Sequence, residues 1–226
     1  MRLIFLFAFF FSLLTNTSLA QDCKNYYFLQ PNKTIEMTIY NKKGAANGKQ
    51  VYTVSNVTNN GGSTSATVNS EMFSQKGKSM AKGHSEIKCT GGVMMLDMTM
   101  QLPQQQQEQF GKADVKADKI YIEYPVNMNA GDKLKDAVLD MTIDNSGMKQ
   151  SVNMVTSDRT VIAKESVTTT AGTWDCFKIT YKSKITIKTM GIGMPLNLEG
   201  TEWFAPGFGV VKTESKHGGT AITAIK

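Results

Sequence analysis

An alternation of apolar and polar residues between Phe177 and Lys188 constrains this chain more than any other feature of its sequence. The large apolar side chains are Phe177, Ile179, Tyr181, Ile185 and Ile187, and the even-numbered positions carry lysine or threonine. A period of two residues is that of a β-strand, so the segment predicts a strand with one buried and one solvated face. Because parallel sheets bury both faces, the row of lysines predicts an antiparallel sheet.

Similar β-rich runs cover most of the chain, and Gly or Asn separates several of them. They span 35–39, 50–58, 63–75, 78–88, 93–102, 119–124, 138–143, 149–155, 160–169, 173–188, 202–204 and 210–215. Runs joined by short turns predict a meander of hairpins. Only Pro103–Phe110 has helical character, because proline suits the first helical position and glutamine is a good helix former. We therefore expect an all-β or β-dominated fold, a strongly curved antiparallel sheet with at most one short helix.

The chain begins with the pattern of a cleavable signal peptide. Met1 and Arg2 are followed by the apolar run Leu3–Leu14, and Ser18-Leu19-Ala20 supplies small residues for cleavage. The apolar run is shorter than the ~20 residues that a membrane-spanning helix needs. We expect a signal peptide at 1–20 and a single antiparallel β domain at 21–226, periplasmic or secreted, with no transmembrane segment after cleavage.

Three cysteines follow the predicted cleavage site. Consecutive hairpins place the start of the first strand and the end of the fourth at one end of the sheet, which favours a disulfide between Cys23 and Cys89. The first and fourth strands lie three strand spacings, ~14 Å, apart, whereas the Cα atoms of bridged cysteines lie under ~7 Å apart. This pairing therefore requires the Cys23–Lys33 lead to cross the edge of the sheet. Pairing of either cysteine with Cys176 is the alternative. Lipid attachment to Cys23 is not expected, because Gln21 and Asp22 separate it from the small residues.

The polar residues do not indicate catalysis, a metal or nucleic acid. Arg159 is the only arginine after the predicted signal peptide, whereas bidentate recognition of phosphate and bases favours arginine. The histidines are His84 and His217. His84 and Glu86 would lie on one face of a strand, but a zinc site needs at least three protein ligands. We predict no catalytic residues, no metal, no cofactor and no nucleic-acid partner, and we expect that the protein is not an enzyme.

Methionine is unusually frequent, with 14 residues in the chain. In Val93–Leu102 the even positions are apolar while the odd positions include Asp97 and Gln101, which puts the even positions on the inner face. Two interpretations compete: methionine fills irregular gaps in a curved core, or it lines an adaptable apolar cavity. The candidate ligand-lining residues are Met94, Leu96, Met98, Met100, Ile179, Tyr181, Ile185, Met190 and Met194.

The segment Met190–Leu196 is apolar and interrupted by glycines, although a hairpin tip is ordinarily polar. We expect it to fold back onto the core. The alternatives are a lip over a cavity and a contact with a membrane or a partner.

Several segments together point to one protein family. They are Asp22-Cys23 with Tyr26-Tyr27, Tyr40–Gly44, Cys89 with Gly91-Gly92 and Leu96–Met98, Ala171–Tyr181, and Glu202–Glu214. In these segments the chain resembles the TapB-like family of exported proteins from Gram-negative bacteria, whose function is uncharacterised. The resemblance implies a half-barrel similar to the periplasmic lipoprotein carriers LolA and LolB, in which the concave face holds acyl chains.

These features lead to two hypotheses about function. The first is a non-enzymatic periplasmic binding protein that holds an apolar small molecule or lipid, such as an acyl chain, on the concave face of the sheet. The alternative is an envelope scaffold or interaction module that contacts another envelope protein and has a fully packed core.

Overall fold

The computed structural model describes Cys23 and residues 26–102, 114–117, 121–145 and 148–226. Within these ranges the protein is all-β, as predicted, and contains no helix of seven residues or more. The predicted signal peptide and the predicted helix at Pro103–Phe110 lie outside the described residues.

Thirteen strands form one antiparallel sheet. In chain order they are β1 (Thr34–Asn41), β2 (Ala46–Asn60), β3 (Ser63–Ser74), β4 (Ser79–Thr90), β5 (Val93–Asp97), β6 (Asp114–Ala117), β7 (Tyr121–Pro125), β8 (Ala137–Asn145), β9 (Met148–Thr169), β10 (Gly172–Thr189), β11 (Ile192–Ala205), β12 (Gly209–Ser215) and β13 (Gly218–Ile225).

The sheet curves until it is nearly closed into a barrel. Its strand order is β6-β8-β9-β10-β11-β12-β13-β1-β2-β3-β4-β5-β7, so the last strand pairs with the first, and β6 and β7 form the two edges. The predicted meander is therefore present from β1 to β5 and from β8 to β13. Strand β13 was not predicted, because its glycine, threonine and alanine residues give no clear alternation of apolar and polar positions.

Strand β10 has the predicted burial pattern. Phe177, Ile179 and Ile185 are buried, whereas Lys182, Lys184 and Lys188 are exposed. Its neighbour β9 joins two runs that the sequence separates, 149–155 and 160–169. The pairing of β9 with β10 shifts register near Asp158, whose φ is 53°. A local bulge thus lets one strand of 22 residues follow the curve of the sheet.

Strand β5 is shorter than the predicted run Val93–Leu102. The Asp97 carboxylate accepts hydrogen bonds from the Thr99 backbone N–H at 2.9 Å and from the Thr99 hydroxyl at 2.7 Å. These bonds begin a 3₁₀ turn over Met98–Gln101. An aspartate at this position favours a helical start over a continued strand, so the prediction of a strand through Leu102 was wrong.

The two ends of the barrel differ in chemistry. At the end that we call the aromatic end, the lead to β1 forms a 3₁₀ turn at Tyr27–Leu29 that packs inside the sheet. The ring of Phe28 lies 5.9 Å from Tyr52 and 6.0 Å from Phe208, and Trp174 lies 5.2 Å from Phe208. The aromatic rings therefore close this end.

The opposite end, which we call the lysine end, carries the turns at 42–45, 75–78, 190–191 and 216–217. Its lysines in these turns are Lys42, Lys43, Lys76, Lys78 and Lys216. The turns of the aromatic end, at 61–62, 91–92, 170–171 and 206–208, contain no charged residue. The strand directions thus sort the charged turns to one end of the molecule.

A disulfide joins Cys23 to Cys89 at the aromatic end, with the Cα atoms 5.5 Å apart. The 3₁₀ turn at Tyr27–Leu29 contacts β2, β3 and β4. The third cysteine, Cys176, is a buried thiol. Desolvation, followed by the nearby Asp175 and Glu165 carboxylates, raises the pKa of Cys176 to about 12, so this thiol stays protonated near neutral pH.

Replacing both bridged cysteines, Cys23→Ser with Cys89→Ser, should destabilise the protein by about 4 kcal/mol. A bridge across a sequence separation of 66 residues removes loop-closure entropy of this size from the unfolded chain. Urea unfolding without reductant measures the loss. Cys176→Ala, which keeps the bridge, is the control, and a double variant as stable as this control would contradict the prediction.

Candidate ligand cavity

A partly open cavity of about 250 Å³ lies between the walls of the barrel. Most of its lining is apolar, and ten of the thirteen strands contribute to it. The main apolar lining residues are Phe28, Met37, Ile39, Tyr52, Met72, Ile87, Leu96, Met100, Leu102, Met154, Tyr181, Ile185, Leu198 and Val210. Inward-pointing side chains alternate with outward ones along each strand, which is why nearly every strand supplies a residue to the same space.

Four of the predicted ligand-lining residues border this cavity: Leu96, Met100, Tyr181 and Ile185. Tyr181 packs over Gly200, its direct partner on β11. A Cβ atom at position 200 would lie 2.6 Å from the tyrosine ring, so any other residue there would displace Tyr181 from its place in the cavity wall.

The other five predicted residues lie elsewhere. Met94, Met98 and Ile179 are completely buried in the surrounding core and do not border the cavity. Met190 and Met194 are 82% and 84% exposed at the β10–β11 turn. The segment Met190–Leu196 therefore does not fold back onto the core, contrary to our expectation, because β10 and β11 stay paired up to Thr189 and Ile192 and carry it outward.

Sequence reasoning did not single out Met72 and Met154 as lining residues. Both are buried, on β3 and β9, and both border the cavity. Neither lies in a methionine-rich run such as the one between Met94 and Met100. The signal that could have found them is the alternation of β3 and β9, which assigns each to the inner face.

Six polar residues complete the lining: Gln50, Gln101, Ser183, Glu202, Thr213 and Thr220. Glu202 is the charged one, and its side chain is only 4% exposed. The hydroxyl of Tyr124 donates to Glu202 Oε2 at 2.9 Å, and Gln101 Nε2 donates to the same hydroxyl at 3.1 Å. A carboxylate thus lies in the wall of an otherwise apolar space.

Arg159 lies behind this carboxylate and is completely buried. Its Nη2 atom is 3.5 Å from Glu202 Oε1, and its Nη1 atom donates to the carbonyl oxygens of Glu123 and Lys135. The guanidinium also lies 4.7 Å from the centre of the Tyr124 ring, which stacks on Phe204. Arg159, Tyr124 and Glu202 therefore form one buried polar network, which we call the Arg–Tyr–Glu network.

Burial governs the ionisation of this network. Desolvation raises the pKa of Glu202, while Arg159 and the Tyr124 hydroxyl act in the opposite direction. Desolvation and then the Glu202 charge raise the pKa of Tyr124 well above its usual range. The phenol consequently stays protonated and donates, and the glutamate accepts from it.

The chemistry of the cavity suits binding of an apolar molecule that has a polar group near Glu202. His84 and His217 are both exposed and do not border the cavity. Among the described residues, no three His, Cys, Asp or Glu side chains are grouped so that they could hold a metal ion. In the same residues no helix has the length and apolar character needed to cross a membrane.

Arg159→Leu should destabilise the protein by about 3 kcal/mol or more, because it leaves the Glu202 carboxylate buried without its counter-charge. The double variant Arg159→Leu with Glu202→Leu should regain at least half of that loss, since both buried charges are then gone. Urea unfolding of the wild type, Arg159→Leu, Glu202→Leu and the double variant gives the coupling energy. A double variant less stable than Arg159→Leu alone would contradict this account of the network.

A family model described as DUF3108-like matches residues 31–223. The match does not confirm the resemblance to the TapB-like family or to the LolA/LolB-like half-barrel. No curated protein matches the chain.

Two solved structures are similar to this protein. The first is a candidate exported protein with a YmcC-like fold from Bacteroides fragilis, with a TM-score of 0.71 and 22% identity over 87% of this chain and 96% of the other. The second is a candidate lipoprotein from Parabacteroides distasonis, with a TM-score of 0.73 and 22% identity over 89% of this chain and 99% of the other. At this level of identity the likeness shows the fold alone.

Proposed function

The chain belongs to the DUF3108-like family, and we propose that it is an exported, non-enzymatic protein that binds a lipid or another apolar molecule with an acyl chain. The observation that carries the proposal is the cavity of about 250 Å³ inside the barrel. Protein interiors are close-packed, and voids larger than a water molecule are few. An apolar space of this size is therefore best explained by a ligand.

The size and lining of the cavity support an apolar ligand. A cavity of ~150 Å³ lined by apolar side chains stays dry and takes up benzene, so this larger space has room for a segment of an acyl chain. Four methionines, Met37, Met72, Met100 and Met154, border it. Their unbranched thioethers can repack around chains of different shape, which favours a class of lipids over one specific molecule.

The Arg–Tyr–Glu network supports an amphiphilic ligand. Glu202 Oε1 faces Arg159, and Glu202 Oε2 accepts from Tyr124. A carboxylate has about four acceptor sites, so Glu202 can accept a further bond from a hydroxyl or ammonium group of a ligand. The acyl chain would then lie along the methionines with its polar end at this carboxylate.

The alternative hypothesis, an envelope scaffold, supposes a fully packed core. A cavity bordered by side chains from ten strands does not suit that hypothesis. The exposed positions of His84 and His217, away from the cavity, support a protein that binds its ligand without transforming it.

Export is supported by the predicted signal peptide and by the similar solved proteins, which are a candidate exported protein and a candidate lipoprotein. The Cys23–Cys89 disulfide suits an oxidising compartment such as the periplasm. Since the Cys23 sulfur is part of this disulfide, it is not free to carry a lipid anchor. We therefore propose a periplasmic or secreted protein without an anchor at Cys23.

Leu198→Trp and, separately, Val210→Phe should each weaken binding of an apolar fluorescent probe by fivefold or more. Both residues border the cavity, and the larger rings would fill its space. Titration of the purified protein with 1-N-phenylnaphthylamine measures the affinity, and displacement of the probe by fatty acids tests for acyl chains.

Asn197→Trp is the matched control for this experiment. Position 197 is exposed and adjacent to Leu198, so the alternation of the strand points its ring away from the cavity. This variant should bind the probe as the wild type does. Absence of probe binding to the wild type, or equal binding by all four proteins, would overturn the proposed function.

Expression of the full chain in a Gram-negative host should give a periplasmic protein whose N-terminus is Gln21. Mass spectrometry of the intact protein from the periplasmic fraction measures the cleavage site and any added lipid. Ala20→Leu should slow the cleavage, because signal peptidase requires a small residue there. A mature protein that retains Met1, or one that carries acyl groups on Cys23, would contradict this prediction.

A further inference from the structure

The β10–β11 hairpin ends in an apolar tip that nothing in the described structure covers. Its turn residue Met190 is 82% exposed, Ile192 is 81% exposed and Met194 is 84% exposed, and Leu196 is partly exposed. We call these four residues the hairpin tip. Large apolar side chains that cluster in solvent indicate an interaction surface more often than isolated ones do.

The hairpin tip projects beyond β12, the neighbour of β11, while on its other side β9 stays paired with β10 up to Gln150 and Thr189. Pairing of β11 with β12 ends at Gly200 and Ser215, whereas pairing of β11 with β10 continues to Ile192. Residues 192–199 therefore extend past β12 by about 27 Å at ~3.4 Å per residue. The projection lies at the lysine end, on the side of the molecule away from the aromatic end.

The two faces of this projection have opposite character. Ile192, Met194 and Leu196 lie directly across from Thr189, Ile187 and Ile185, so they share the inner face of the hairpin. Lys184 and Lys188 alternate with these positions and are exposed on the outer face. A strand pair with one apolar and one basic face suits an interface where hydrocarbon meets negative charge.

The charge at this end of the molecule is positive well beyond the hairpin. The turns of the lysine end contribute Lys42, Lys43, Lys76, Lys78 and Lys216, and in the part of the chain that the structure describes none of the five forms an ion pair. They lie at the same end of the barrel as the hairpin tip, set back from its turn, and leave that end basic. Lysines near a membrane surface are attracted to anionic lipids.

We propose that the hairpin tip docks this protein onto an anionic phospholipid bilayer. The apolar side chains enter the boundary between headgroups and acyl chains, while Lys184 and Lys188 bind lipid phosphates from the outer face. Long lysine side chains reach the headgroups while their methylene groups lie along apolar surface. The tip penetrates the surface and the rest of the protein stays in water.

Two details favour a bilayer over another protein strand or a second copy of the chain. Among the residues that the structure describes, no strand pairs with the outer edge of β11 from Ile192 to Glu199. Pro195 interrupts this edge, and proline on an edge strand opposes addition of a further strand. The tip consists of four side chains, far fewer than the 20–30 residues of a standard protein interface on each partner.

The wall of the cavity continues into the hairpin tip. Leu198 and Ile185 border the cavity, and Leu196, the next inward residue, belongs to the tip. If the proposed function holds, docking brings the cavity wall to the membrane that supplies the lipid. The docking itself requires no bound ligand and is tested separately.

The test uses the full mature chain and sedimentation with vesicles. Wild type should bind vesicles of phosphatidylcholine mixed with phosphatidylglycerol and should bind pure phosphatidylcholine vesicles more weakly. Ile192→Thr with Met194→Thr should lower the partition coefficient by about tenfold or more, because both apolar side chains are removed. Lys184→Gln with Lys188→Gln should weaken binding to the anionic vesicles and leave binding to the neutral ones unchanged.

Met190→Asn is the variant that keeps this test free of folding artefacts. Met190 and Gly191 both have positive φ, 52° and 81°, and Asn-Gly is the preferred pair for such a two-residue turn. This variant should match or exceed wild type in thermal stability and still bind vesicles less tightly. Ile162→Thr, at another exposed apolar residue, and Lys164→Gln with Lys226→Gln are the matched controls and should bind as wild type does.

Ile192→Trp reports the depth of the tip directly. Its fluorescence should shift to the blue on adding anionic vesicles and should be quenched by lipids brominated on the acyl chain. Wild type that binds neither vesicle, or tip variants that bind as wild type does, would overturn the proposal. The proposal would also be overturned if sedimentation velocity showed that the wild type is a dimer and that the tip variants are monomers. Met190→Asn should bind the fluorescent probe in the cavity as the wild type does. A failure of docking, seen with vesicles, is therefore distinguishable from a failure of the proposed function, seen as absent probe binding.

Discussion

Every strand of this protein must hide one apolar face, and the chain meets that constraint with a single sheet. An antiparallel sheet ordinarily packs its apolar face on helices or on a second sheet. Here thirteen strands curve until opposite parts of the same sheet face each other. Barrels of about eight strands are filled by their own side chains, and larger ones enclose space. The cavity is therefore a consequence of the number of strands.

The rest of the interior adapts to this curvature. The bulge at Asp158 lets β9 bend, and the lead held by Cys23 and Cys89 fills the aromatic end, where the sheet alone would leave a hole. The Arg–Tyr–Glu network places a glutamate in the cavity wall and neutralises it with Arg159 from behind. Each feature corrects a local mismatch that closure creates, and together they leave the apolar space near the methionines.

Unequal strand lengths link the cavity to the surface. The pairing of β10 with β11 extends farther than the pairing of β11 with β12. Along one face of this hairpin the inward residues therefore change from buried to exposed. Ile185 is buried, Leu196 opposite it is partly exposed, and Met194 is mostly exposed. The same alternation that builds the core thus produces the hairpin tip, and the lysines that solvate the outside of the barrel accompany it.

The local pattern of residues was sufficient to predict the antiparallel sheet, its inner face and most of its turns, because alternation and turn residues act over a few neighbouring positions. It placed Leu96, Met100, Tyr181 and Ile185 on the face that borders the cavity. The folded structure was needed to establish that Met94, Met98 and Ile179 fill the core, that Met72 and Met154 face the cavity, and that Met190 and Met194 lie in solvent. Alternation assigns a side chain to a face, but where that face meets the opposite wall depends on strand length, register and closure, which distant segments set together.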